Sequence, residues 1–130
     1  MGELRITEGA NELRLVSQGE AVDGYVEVRA EVRSAWFRVE LVDELACDEV
    51  ADLADALRAL HSAGAGAHVF LARENWIELT FAMSKQGQLA VTARLQWEPD
   101  YLNEVKLVLH LDQSYVPTIA AELDSLLASE

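Results

Sequence analysis

Tyr25-Val26-Glu27-Val28-Arg29-Ala30-Glu31-Val32-Arg33 alternates apolar and polar side chains without a break. Val26, Val28, Ala30 and Val32 point one way; Tyr25, Glu27, Arg29, Glu31 and Arg33 point the other. A period of two with one apolar parity is the pattern of an antiparallel strand packed on a core by one face. Asp23-Gly24 ahead of it supplies a turn. Phe37, Val39 and Leu41, alternating with Trp36, Arg38 and Glu40, predict a second strand. Leu4, Ile6 and the stretch 12–17 are shorter strands on either side of the turn Gly9-Ala10-Asn11.

After these strands the period lengthens. Val50, Leu53, Leu57 and Leu60 follow three-and-four spacing, so a helix over 46–62 buries one face. Ala51, Ala54, Ala56 and Ala59 favour it, and Ala63-Gly64-Ala65-Gly66 stops it. Strands return at 68–74 and 76–83, the second with Ile77, Leu79, Phe81 and Met83 on its apolar side. Ser84-Lys85-Gln86-Gly87 is a hairpin turn into Leu89, Val91, Ala93 and Leu95, and Glu98-Pro99-Asp100 closes that strand. Val105, Leu107, Leu109 and Leu111 form the last strand. Ser114 is a candidate cap for a helix over 114–128, with Pro117 in its first turn.

The pattern predicts a single α+β domain over residues 1–130. Its sheet is twisted and antiparallel, with seven to eight strands, and two helices pack on it. The order strand, Gly turn, strand, strand, helix occurs in 12–62 and again in 78–129. This suggests two repeat halves about a pseudo-twofold axis, although ordinary likeness between two β-rich halves would look similar.

The chain has 130 residues and a formal net charge of −13, from 23 acids and 10 bases. Both halves share the imbalance, so the charge belongs to the folded surface. Such a surface repels nucleic acid and anionic membrane and attracts a basic protein partner; the alternative is that it serves solubility. Cys47 stands alone, which excludes an internal disulfide and favours a reducing compartment. The start carries charges every few residues and no apolar core of a signal peptide, and no stretch is long and apolar enough to span a bilayer. The expected location is the cytoplasm.

Catalytic and metal constellations are not evident, and no cofactor is expected. His61, His68 and His110 match no ligand spacing. His110 and Asp112 share a strand face and could orient an imidazole, yet Ser114 lacks a nucleophile elbow. Cys47 precedes a helix whose first turn is acidic, against activation of the thiol. Two surface features remain as candidate partner-binding elements. Asp48, Asp52 and Asp55 recur on the helix opposite its leucine stripe, and Asp43, Glu44 and Glu49 extend the patch; the alternative is an ordinary solvated helix face. Tyr25, Trp36 and Trp76 fall on the polar parity of their strands, as interface anchors do, unless a further layer covers that face.

Leu107-x-Leu109-x-Leu111-Asp112-Gln113-Ser114-Tyr115 before a helix resembles the ending of WapI-like immunity proteins of bacterial polymorphic toxin systems. So do the helix Asp43-Glu44-Leu45…Leu53-Ala54-x-Ala56-Leu57-x-x-Leu60, the strand Trp76-Ile77-x-Leu79, and Gln86-Gly87 before Leu89-x-Val91. The resemblance runs over most of the chain and is weakest in the first forty residues. It implies a small cytoplasmic, non-catalytic protein that binds and neutralises a toxin's C-terminal domain, often a nuclease. No catalytic residue comes with it.

Overall fold

The computed structural model describes residues 2–98 and 102–128. Eight strands divide into two four-stranded antiparallel sheets, each followed by a helix. The first sheet runs β1 (Glu3–Glu8), β2 (Asn11–Ser17), β3 (Tyr25–Arg33) and β4 (Arg38–Ala46), paired in that order and followed by α1 (Cys47–Ala63). The second runs β5 (Gly66–Leu71), β6 (Ile77–Met83), β7 (Gln88–Trp97) and β8 (Asn103–Asp112), then α2 (Val116–Leu127). No strand bridges the sheets: α1 stands between β4 and β5, and Gly64 ends it in the left-handed region (φ 84°), its N–H on the Leu60 carbonyl. The expected turn residues Pro99 and Asp100 lie outside the described residues.

Alternation sets the strand faces. Val26, Val28, Ala30 and Val32 are buried, as are Phe81, Val91, Leu109, Leu53, Leu57 and Leu123. Val39 is only half-buried, because β4 is an edge strand whose core face is not fully covered. Trp97, at the end of β7, is likewise half-buried rather than central. The turn into β3 is a two-residue hairpin with Asp23 (φ 54°) and Gly24 (φ 82°) both left-handed, the signature of the primed turns that match strand twist.

The helices lock the halves together. They pack on one another, α1 reaches β5 and α2 reaches β1. At the α2–β1 contact the Arg5 N–H donates to Glu122 Oε1 at 2.7 Å and the Glu3 N–H to Ser125 Oγ at 3.3 Å. Ser114 does not cap α2. A 3₁₀ turn over Gln113–Tyr115 intervenes and is itself capped by Asp112, whose Oδ1 accepts the Ser114 N–H at 2.8 Å, while α2 starts from Tyr115 with no side-chain cap.

Candidate functional site

The acids that run together in sequence occupy two elements. Asp43 and Glu44 lie in β4, which continues to Ala46; Asp48, Glu49, Asp52 and Asp55 lie in the first half of α1. Asp43, Glu44, Asp48, Asp52 and Asp55 are exposed and Glu49 is half-buried. The run is without bases in sequence but not in space. Arg73, delivered by a 3₁₀ turn over Arg73–Asn75, reaches Glu49 at 2.9 Å and donates to the Tyr25 hydroxyl at 2.7 Å, its guanidinium 5.5 Å from the ring centre. The Glu49 hydrogen bond is the main reason its pKa is raised. At the other end of the run Arg58 bridges Asp55, at 3.3 Å, and Asp124 of α2. Among the described residues Asp43, Glu44, Asp48 and Asp52 have no ion-pair partner.

A cleft of about 490 Å³ opens beside this junction, lined by Val22, Asp23, Tyr25, Asp43, Glu44, Arg73 and Glu74. A neighbouring hollow of about 410 Å³ shares Asp23, Tyr25 and Arg73 and reaches Cys47 and Asp48. Asp23 and Glu74, both lining the cleft, hold left-handed backbone (φ 54° and 66°). Sequence reading missed Arg73, Asp23 and Glu74 as neighbours of the acids, since they arrive from loops distant in the chain. Burial pushes the Cys47 thiol up, and Asp48 adds to the effect, so the helix start does not activate it.

The three aromatics part company. Tyr25 is half-buried under Arg73. Trp36 is 93% exposed, but it sits at the tip of the β3–β4 hairpin rather than in a strand, its N–H on Ser34 Oγ at 3.1 Å. Trp76 corrects the expectation of a surface anchor: it is 3% exposed. It precedes β6, at the end of the 3₁₀ turn, so strand parity does not govern it. Its large ring goes into the core and its indole N–H donates to the Glu44 carbonyl at 3.2 Å.

The outer face of the first sheet holds much of the positive charge. Register places Arg5, Arg14, Arg29, Arg33 and Arg38 on it, interleaved with Glu3, Glu12, Glu27, Glu31, Glu40 and Glu44. Glu12 is buried between Arg5 at 3.4 Å and Arg33 at 3.1 Å, and Arg38 spans Glu31 and Glu40. That lattice largely neutralises itself.

His110 and Asp112 do not bond to each other among the described residues. Glu8 Oε1 accepts the His110 backbone N–H at 2.9 Å and lies 3.5 Å from its Nδ1, while Asp112 is committed to capping. No group of three or more His, Cys, Asp or Glu among the described residues is placed to hold a metal ion. No described helix is long and apolar enough to cross a membrane.

Two sheets with two helices define a small α+β domain with exposed acids at the β4–α1 junction. Solved structures share the architecture. Trypanosoma bruciei MRP1/MRP2 superposes with a TM-score of 0.53 at 13% identity, covering 96% of this chain and 81% of that one. A guide-RNA-binding protein complex bound to its RNA gives 0.52 at 15%, covering 90% and 78%. At such identities the likeness is one of fold. None of the curated proteins matches this sequence. The chain belongs to the immunity protein WapI-like family, whose model matches residues 3–129.

Proposed function

We propose that this protein is a non-catalytic immunity protein of the bacterial cytoplasm. It neutralises a toxin domain by covering a basic surface of that domain with the acids of the β4–α1 junction. The observation that carries the reading is the set Asp43, Glu44, Asp48 and Asp52, without ion-pair partners among the described residues and held on two adjoining elements in a member of an immunity family. Glu49 and Asp55 flank the set and are already partly satisfied by Arg73 and Arg58. Tyr25 forms the aromatic wall of the adjoining cleft, and Trp36 offers a second, separate contact.

Guide-RNA binding, named for one fold relative, is not transferred. A net charge of −13 opposes a phosphate backbone, and four of the five arginines on the outer face of the first sheet, Arg5, Arg14, Arg33 and Arg38, are paired with glutamates. The second reading is a regulatory or scaffold module whose acidity serves solubility; the internal pairing of Glu49 and Asp55 favours it.

Asp48, Asp52 and Asp55 changed together to lysine test the choice. Charge steering acts on association rate and its salt dependence. With a toxin domain encoded by an adjoining gene as the probe, the triple variant is expected to associate more slowly than wild type at low salt, and its rate to vary less with added salt. Equal association at every salt concentration would reject a role for the helix acids.

A further inference from the structure

The four outer edges of the two sheets are not equally protected. On β1 the outward amides of Glu3 and Arg5 are taken by Ser125 and Glu122 of α2. On β8 the His110 amide is taken by Glu8, and Lys106 sits in mid-strand, a common guard against edge pairing. β5 is short and bears no carboxylate. β4 is nine residues long and pairs with β3 in unbroken register from Tyr25↔Ala46 to Arg33↔Arg38, with no bulge, proline or lysine.

Hydrogen bonds at Glu44 fix which backbone groups of β4 face outward. The Glu44 N–H is bonded to its neighbour's Asp43 Oδ1 at 2.7 Å, and its carbonyl to the Trp76 indole at 3.2 Å, so neither belongs to the β3 ladder. Backbone direction alternates along an antiparallel strand. Val42 and Glu40 therefore also present N–H and C=O away from β3, and no described group bonds to them. Their side chains lie with Glu44 on the outer face, where Val42 is 54% exposed. On the opposite face Leu41 is half-buried and Asp43 exposed.

We propose that this edge is a docking site for a basic, extended segment of the partner, which adds to the first sheet as a fifth strand. The proposal rests on the partner-binding reading above and supplies its mode of recognition. Backbone hydrogen bonds to Glu40 and Val42 give the strand its hold, and cross-strand neighbours give it selectivity. Lys or Arg faces Glu40 and Glu44, and an aliphatic residue between them faces Val42. The same acids keep two copies of this protein apart, because pairing β4 with β4 would bring Glu40, Asp43 and Glu44 of each copy together.

Residue-resolved amide exchange by NMR tests the edge directly. The probe is a capped nine-residue peptide centred on Lys-Thr-Val-Thr-Lys, with Glu-Thr-Val-Thr-Glu as control. The Glu40 and Val42 amides, fast in the free protein, are expected to slow by at least about tenfold with the basic peptide near saturation, since tenfold needs only about 1.4 kcal/mol. The acidic peptide should leave them fast. No binding up to millimolar peptide, equal protection by the acidic peptide, or protection at Ala67, Val69 and Leu71 of β5 instead would each overturn the proposal.

A toxin domain encoded by an adjoining gene supplies the second arm. Val42→Pro removes only an outward donor, which an edge strand tolerates, and Glu40→Lys with Glu44→Lys is the alternative should the proline disturb folding. Either is expected to shorten the lifetime of the complex by at least about tenfold. Neutralisation by wild type that persists unchanged in both variants rejects strand docking and leaves the immunity reading standing. Failure of wild type to neutralise rejects the immunity reading, while the peptide arm still decides the edge.

Discussion

Gly2 is buried where β1 meets α2, and a Cβ there would overlap the Ser125 carbonyl backbone. Its N–H donates to Ser17 Oγ at 2.8 Å, so the residue is fixed from both sides. Gly2→Ala must push helix and strand apart and is expected to cost about 1–3 kcal/mol in urea unfolding. Asp112 acts through charge. The Ser114 N–H holds its carboxyl below the usual range, so the folded state favours the ionised form. That contribution is present above the unfolded pKa and lost as pH falls through the folded one. Asp112→Ala should therefore lower Tm at pH 7, by an amount that shrinks toward zero as the carboxylate protonates in acid. Cys47 carries the opposite shift: its thiol, raised by burial, should react with iodoacetamide at pH 7 more slowly than free cysteine, and catch up only in more alkaline solution.

At the scale of elements, two tryptophans assigned the same role from sequence show what parity reads and what it misses. Alternation and three-and-four spacing were legible because each reports one buried face, and they placed β3, β6, β7, α1 and most of the core. Parity fails where a residue stands just outside its strand, as Trp36 and Trp76 both do. The first is turned outward by a tight hairpin; the second is drawn inward by a 3₁₀ turn that no local pattern announces. Arg73 illustrates the same limit for the site, since it meets Glu49 across 24 positions of chain. The difference is measurable: Trp76→Ala should cost about 3–5 kcal/mol of stability as a core truncation, and Trp36→Ala no more than about 0.5 kcal/mol. Equal losses in denaturant unfolding would contradict the placement of one of them. Along β4 the chain also separates Trp36 from Asp43, the first acid of the patch, by about 24 Å at strand rise. An interface of standard size, about 800 Å² per partner, covers both only by lying along the whole hairpin, which is the course a docked strand on β4 would take.

At the scale of the whole molecule, charge and connectivity each have a simple order. Five of the ten bases sit on the outer face of the first sheet among its glutamates, whereas the β4–α1 stretch from Asp43 to Asp55 carries six acids and no base of its own. Connectivity is nearly cyclic. Four antiparallel strands and a helix make the first half, and the same order makes the second; α1 packs on β5, the strand that follows it, and α2 packs on β1. We propose that the halves are true repeats about a pseudo-twofold axis, with β1 and β5 as further equivalents beyond 12–62 and 78–129. If so, the contact of α2 with β1 stands in for the covalent link that α1 makes to β5, and the chain can be reopened at that link. Gly2 already lies against Ser125, so a short flexible linker can join residue 128 to residue 2. New ends fall between Gly64 and Ala65, past the cap of α1, where no core residue is lost. This circular permutant is expected to fold with the wild-type circular dichroism spectrum and a cooperative transition, because exposed turns tolerate such cuts. A permutant that is unfolded or non-cooperative would mean that the α1–β5 link is required in its covalent form, and that the two halves are not interchangeable units.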